Sequence, residues 1–145
     1  MNRSNDNPLV QTYLNFDGRC EEALEFYKRA IGAEVTRLMR FRDSPEPPAP
    51  GCMAPGSENK VMHAQFRVGH TLIMASDGRC TANTVFQGFS LSLIVNSDAE
   101  VDRLFNALSD GGQVQMPAAK TFFSSRFGMV TDRFGVSWMI LATPE

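Results

Sequence analysis

An internal repeat constrains this chain more than any other feature. Gly128 to Leu141, GMVTDRFGVSWMIL, reads as two apolar runs joined at Asp-Arg-Phe-Gly, a hairpin feeding a buried final strand. Phe66 to Ser76, FRVGHTLIMAS, carries the same apolar pattern when Gly69 is set against Gly135, which lays His70 to Met74 over Val136 to Ile140. The helical stretches repeat as well. Glu22-Ala-Leu-Glu-Phe-Tyr and Glu100-Val-Asp-Arg-Leu-Phe each lead into a glycine turn and then a valine, Val35 and Val114. One supersecondary unit written twice predicts two modules.

Taken in order, residues 1–8 are polar and end in Pro8, a frayed tail. Leu9 to Phe16 alternates as a strand, with Val10, Thr12, Leu14 and Phe16 on one face and Gln11, Tyr13 and Asn15 on the other. After an Asp17-Gly18 turn, apolar residues at spacings of three and four predict a helix over Cys20 to Ile31, stopped by Gly32. Glu34 to Arg42 returns as a strand. Residues 43–59, with Pro45, Pro47, Pro48, Pro50 and Pro55, cannot run as helix or central strand and form a long loop, either a variable insertion or a lid. Lys60 to Val68 and Thr71 to Asp77 form a hairpin about Gly69-His70, closing a first βαβββ module over 9–77.

A connector over 78–87 leads to the second module, 88–145. Its first strand, Gly88 to Val95, places Phe89, Leu91, Leu93 and Val95 on one face and Ser90, Ser92 and Ile94 on the other. Ser97 caps the next helix, with Glu100 completing a capping box, and the helix runs to Gly111-Gly112. Gln113 to Met116, Thr121 to Val130 and Val136 to Thr143 are the last three strands. The order β-α-β-β-β, twice, gives an α+β fold.

Composition narrows the function. A hydrophobic fraction of 43% is enough for a core, while a net charge of -2 and no basic stripe argue against a nucleic-acid partner. There is no apolar run long enough to span a membrane, and the first residues lack the apolar segment of a secretory signal, so the expected location is the cytoplasm. Cys20, Cys52 and Cys80 have no metal or redox spacing and read as unrelated reduced thiols. Cys20 stands out, because a helix start lowers a thiol pKa.

The segments Tyr13-Leu-Asn-Phe-Asp-Gly-Arg-Cys-Glu-Glu-Ala-Leu-Glu-Phe-Tyr, His63-Ala-Gln-Phe-Arg-Val-Gly, Met74-Ala-Ser-Asp and Thr131-Asp-Arg-Phe-Gly-Val-Ser-Trp-Met-Ile resemble the PhnB-like branch of the glyoxalase/bleomycin-resistance, or vicinal oxygen chelate, superfamily, from about Leu9 to Leu141. The resemblance implies two βαβββ modules whose sheets curl into a cup with helices outside, a homodimer, and a small molecule in the cup. Many members hold a divalent metal there. Some carry a label as 3-demethylubiquinone-9 3-methyltransferases, yet the sequence has no glycine-rich strand-to-helix loop for a nucleotide-derived cofactor.

Laid against the superfamily's metal ligands, the four positions fall at Gln11, near Ile73, at Ser90 and at Met139. Only Gln11 is a plausible ligand for a hard divalent ion, so no metal and no other cofactor is expected. What remains is a cup lined by Gln11, Tyr13, Asn15, Ser90, Ser92, Ser137 and Met139, with Thr71, Ile73 and Ala75 added by repeat symmetry. This mixed apolar and hydroxyl lining suits an uncharged or weakly polar ligand. His63 is the candidate catalytic base, since imidazole chemistry suits proton transfer if the ring faces the cup. Asp77 either accepts backbone hydrogen bonds in the Asp-Gly turn or joins Gln11 and His63 in an altered metal set. Trp138, Phe122, Phe123 and Phe127 are assigned to packing. Three functions stay open: a metal-free protein binding and possibly transforming a small molecule, a metalloenzyme with the altered set, and a ligand-sequestering or resistance protein.

Overall fold

The structure is a computed structural model, and it describes residues 7–46, 56–78 and 84–143. The elements are β1 (Tyr13–Asn15), α1 (Cys20–Ile31), β2 (Glu34–Arg40), β3 (Val61–Val68), β4 (Thr71–Ser76), β5 (Leu91–Val95), α2 (Asp98–Ser109), β6 (Gln113–Ala119), β7 (Phe127–Thr131) and β8 (Ser137–Ala142). They build two four-stranded sheets of identical topology, β1-β4-β3-β2 and β5-β8-β7-β6, in which the first pair is parallel and the others antiparallel. This is the α+β fold of two βαβββ units that the repeat predicts.

Strand lengths differ from the sequence reading. β1 keeps only three of the eight residues over 9–16, although the Thr12 carbonyl still accepts the Met74 N–H at 2.9 Å. It is an edge strand with one neighbour, pairing with the last three residues of β4, Met74 to Ser76. β5 likewise begins at Leu91, leaving Gly88 to Ser90 outside, and β7 begins at Phe127, because residues 121–126 turn about the Thr121 and Ser124 hydroxyls. β2 ends at Arg40 and gives way to a single 3-10 turn, Phe41–Asp43. Of the proline-rich loop over 43–59, residues 47–55, Cys52 among them, lie outside the described residues, as do residues 79–83 of the connector with Cys80.

Both helices form over the expected residues, but their starts differ. Ser97 Oγ accepts the Glu100 N–H at 3.2 Å, as a cap should. The capping box stays half-formed, because the Glu100 carboxylate turns outward to a bidentate pair with Arg103 at 2.8 and 2.9 Å. α1 has no side-chain cap of its own. The Asp77 carboxylate, arriving from the end of β4, takes the Gly18 N–H at 2.9 Å and the Cys20 N–H at 2.7 Å in its place.

One face of each sheet is buried under its helix. Leu14, Phe16, Ile73, Ala75, Ala64 and Phe66 form the inner face of the first sheet, and Trp138, Ile140, Ala142 and Val130 that of the second. α2 lies so close to β7 that a Cβ on Gly128 would come within 2.6 Å of the Phe105 ring, which is why glycine stands there. Tyr27 of α1 joins the two halves. Its ring stacks on Phe66 at 5.7 Å and meets Trp138 edge-on at 5.6 Å, and its hydroxyl donates to Asp132 Oδ2 at 2.5 Å.

Burial, and then the Asp132 carboxylate, raise the Tyr27 phenol well above its ordinary value. A raised folded value means that this contribution to stability is complete below the unfolded phenol's pKa of about 10 and is lost as the pH climbs above it. Tyr27→Phe removes a hydrogen bond to a charged group and should cost about 1.5 to 3 kcal/mol. Urea unfolding followed from pH 8 to 11.5 should also show a shallower alkaline loss in the variant than in the wild type. Parallel curves would contradict the assignment.

Candidate functional site

The face of the second sheet turned away from α2 carries Ser92 and Ile94 of β5, Ser137, Met139 and Leu141 of β8, and Met129 and Thr131 of β7, set by the registers Ser92↔Met139, Ile94↔Leu141 and Met129↔Met139. Ser90 lies just ahead of β5, and its hydroxyl is 2.7 Å from that of Ser137. The two line a cavity of about 570 Å³ with Met139, Thr131, Phe86 and Phe89. Ser92 borders a second, smaller space of about 240 Å³, which shares Ser90 with the first and is lined also by Thr12, Thr71, Ile73 and Trp138. Phe89, expected on the buried face, is 45% exposed because β5 has not yet begun there. The sequence reading missed both phenylalanines as walls: Phe86 falls in the connector, and Phe89 is put opposite the serines by an alternation that begins only at Leu91.

On the first sheet the free face holds Tyr13 and Asn15 of β1, and the Tyr13 ring lies 5.9 Å from that of His63 on β3. Gln11 lies half-buried ahead of β1. The parallel register pairs Tyr13 with Met74 and Asn15 with Ser76, so β4 presents Leu72, Met74 and Ser76 to this face. Thr71, Ile73 and Ala75 therefore point the other way, and Ile73 and Ala75 belong to the core. The repeat alignment slipped by one residue. Two residues separate the strand partners Val68 and Thr71, whereas five separate Thr131 and Ser137, and a one-residue slip exchanges the faces of a strand. The structure thus groups Ser90, Ser137 and Met139 in one cavity and brings Tyr13 and His63 together on the other sheet.

The superfamily's divalent ion does not fit these residues. The first sheet's free face offers Met74 or Leu72 where a fourth-strand ligand would stand, and the second offers Met139; thioethers and aliphatic carbons do not bind hard divalent ions. Asp77 is unavailable to the altered set. It is 1% exposed, and beyond the two bonds that start α1 its Oδ2 accepts the Val61 N–H at 2.8 Å. Its acceptor role is the expected one, but its partners lie on β3 and α1, while the Gly78 N–H goes to Ser76 Oγ at 2.8 Å. The same bonds occupy the β1–α1 turn, so the turn has no free Gly18 or Cys20 N–H groups to cradle the phosphates of a nucleotide-derived cofactor.

Cys20 is the reverse of an activated thiol. It is fully buried, and burial together with the adjacent Asp77 charge pushes its pKa far up, overriding the helix start. Of the four aromatics assigned to packing, Trp138 and Phe127 are buried. Phe122 is fully exposed at the tip of the 121–126 turn and Phe123 partly so, and the Phe123 ring meets those of Phe122 and Phe127 edge-on. Among the described residues no helix is long and apolar enough to cross a membrane.

Residues 8–141 match the family described as 3-demethylubiquinone-9 3-methyltransferase. The chain is 35% identical to Protein YjdN of Escherichia coli (strain K12) over 138 residues, covering 90% of this chain and 92% of that one. Its structure is similar to that of protein PA1353 from Pseudomonas aeruginosa, with a TM-score of 0.82, 41% identity, and coverage of 96% and 100% of the two chains. It is also similar to a putative 3-demethylubiquinone-9 3-methyltransferase, PhnB protein, from Bacillus cereus, with a TM-score of 0.75, 29% identity, and coverage of 92% and 98%. A glyoxylase/bleomycin resistance protein/dioxygenase domain from Frankia sp. EAN1pec shares the fold at 14% identity, with a TM-score of 0.69.

If Asp77 is a structural anchor and Cys20 a sealed thiol, two outcomes follow. Asp77→Ala leaves three N–H groups without their acceptor and should cost on the order of 3 to 5 kcal/mol in urea unfolding. Peptide mass spectrometry should find Cys20 unmodified by iodoacetamide at pH 8 until urea unfolds the chain. Rapid native alkylation of Cys20 would contradict its burial.

Proposed function

The chain belongs to the family described as 3-demethylubiquinone-9 3-methyltransferase, in the PhnB-like branch of the glyoxalase and bleomycin-resistance proteins, and from that premise we propose that it binds a small organic molecule against its free sheet faces, as a homodimer and without the superfamily's metal. The observation that carries the reading is the Ser90–Ser137 hydroxyl pair, 2.7 Å apart in a cavity whose remaining walls include Met139, Phe86 and Phe89. One hydroxyl donates to the other. That leaves one O–H and several lone pairs for a ligand, inside walls that favour apolar contact. The ligand this surface suits is uncharged or weakly polar, with one or two oxygen or nitrogen atoms for the serines. No methyl transfer is derived from the family's description, because the β1–α1 turn does not fit the cofactor such a step uses.

The homodimer is supported by what the fold leaves uncovered. Ile94, Val114 and Met116 are roughly half exposed or more on the second sheet, Tyr13 is 44% exposed on the first, and Phe122 stands fully in solvent. Apolar side chains grouped on sheet faces mark a surface that another protein covers. A second copy laid against them would close the shallow cavity and set His63 and Tyr13 of one subunit within a shared cup. His63 is then the group placed to move a proton, and whether the bound molecule leaves changed depends on it.

Sedimentation at micromolar concentration should give a mass near twice the chain's 16.1 kDa. A monomer throughout would remove the dimer. With a ligand found by a thermal-shift screen, Ser137→Ala should weaken affinity about two- to tenfold, the worth of one hydrogen bond. His63→Ala with affinity kept and turnover lost supports chemistry, and no effect on either takes His63 out of the site. Near-stoichiometric metal in protein purified without tag or chelator would overturn the metal-free reading.

A further inference from the structure

A second cavity, of about 350 Å³, shares no lining residue with the serine cavity and has a different chemistry. Arg40 at the end of β2, Arg42 in the 3-10 turn and Lys60 just before β3 reach it together, alongside Glu21, Asn59 and Asp77. Three cations in one small space repel one another unless something anionic stands among them. Glu21 does this for Arg40, with a bidentate pair at 2.7 and 3.0 Å; the Arg40 guanidinium holds the Glu21 carboxyl below its ordinary range, and Lys60 adds to that effect. Asp77 makes no ion pair with a second cation, because its oxygens are committed to the N–H groups of Gly18, Cys20 and Val61, and its charge reaches Arg40 only through space.

Arg42 and Lys60 are the surplus. Among the described residues neither makes an ion pair with a carboxylate. Both are nonetheless held in place by neutral acceptors. Arg42 Nη1 donates to Asn59 Oδ1 at 2.9 Å, and Lys60 Nζ donates to the Gly18 carbonyl at 2.9 Å. Asn59 also takes Arg40 Nη1 on its carbonyl at 2.7 Å, so one residue orients both arginines. Among the described residues each surplus cation uses one side-chain donor, Arg42 Nη1 and Lys60 Nζ, and a guanidinium and an ammonium have more to offer. The start of α1 borders the cavity, but its N–H groups face Asp77 and take no part.

We propose that this cavity is an anion subsite that takes a phosphate group, held between the Arg42 guanidinium and the Lys60 ammonium, with Arg40 and Asn59 as its floor. A planar guanidinium fork and a point-charge ammonium set together are the donors that phosphate oxygens accept from. A volume of about 350 Å³ exceeds what a single phosphate fills, so the group can be one end of a larger molecule.

Inorganic phosphate and phenyl phosphate, each titrated at constant ionic strength and followed by calorimetry, test the site. Saturable binding of inorganic phosphate is expected, absent for chloride. Arg42→Gln and Lys60→Gln should each weaken it about five- to tenfold, while Lys120→Gln, elsewhere on the surface, leaves it unchanged. Glu21→Gln, which frees Arg40, should tighten it. Phenyl phosphate binding as well as inorganic phosphate points to the end group of a larger molecule; binding of inorganic phosphate alone points to the free ion. An unsaturable response matched by chloride, or binding unaltered in both Arg42→Gln and Lys60→Gln, overturns the proposal. Unchanged urea midpoints show that the variants still fold.

Discussion

The Asp132 carboxylate, 3% exposed, holds the first unit's helix and the second unit's hairpin on one anchor. Its Oδ2 accepts from the Tyr27 hydroxyl at 2.5 Å and from the Trp138 indole at 2.9 Å, and its Oδ1 from the backbone N–H groups of Phe134 and Val136 at 2.8 and 3.1 Å. A buried carboxylate costs several kcal/mol unless hydrogen bonds compensate it, and here four donors do so. Two of them are rigid aromatic side chains and two belong to the β7–β8 turn. Turn, helix and strand therefore have one mutual arrangement, and Phe134 is brought against Phe26 and Phe16 as a result.

That anchor decides where function can reside. Because Tyr27, Phe66 and Trp138 meet on the helix side, each sheet commits that face to the core and leaves the other outside. Along a strand the two faces alternate, so every residue between two core positions on β5 and β8 is a free-face residue. Ser92 and Ser137 hold such positions, with Ser90 beside them, which is where hydroxyls can be kept without burying them unpaired. The free face of the second sheet is thus a place where hydroxyls and ligand-sized space coincide.

Much of this was legible in sequence, and the failures have particular causes. Both helices were readable because their apolar spacing and end residues agree, and the serine face because Ser90, Leu91, Ser92 and Leu93 alternate without a break. Ile73 was put on the wrong face because the two hairpin turns differ in length by an odd number of residues, which no pattern of apolar residues reports. Cys20 is the free thiol its spacing predicts, and the pull of the helix start on it comes to nothing for a different reason. A helix start lowers a thiol pKa only when its N–H groups are free to do so, and a carboxylate more than fifty residues away occupies them. The Tyr27–Asp132 bond was invisible on the same ground, since 105 residues separate its partners and neither belongs to a motif.

Asp77 and Asp132 also show why the charge left over elsewhere is informative. Each is a buried acid whose oxygens are satisfied by donors that carry no net charge, namely backbone N–H groups, a phenol and an indole. Neutral donors satisfy hydrogen bonding and leave the negative charge in place, so Asp77 acts on Arg40 through space, with no ion pair between them. At the end of the first sheet this matters, because Arg40, Arg42 and Lys60 gather beside Asp77 and, among the described residues, only Glu21 makes an ion pair with one of them. A protein that needed only a stable strand end there would be served as well by neutral side chains. Cations fixed by Asn59 and the Gly18 carbonyl repel one another at close range, and that cost falls when an anion stands between them.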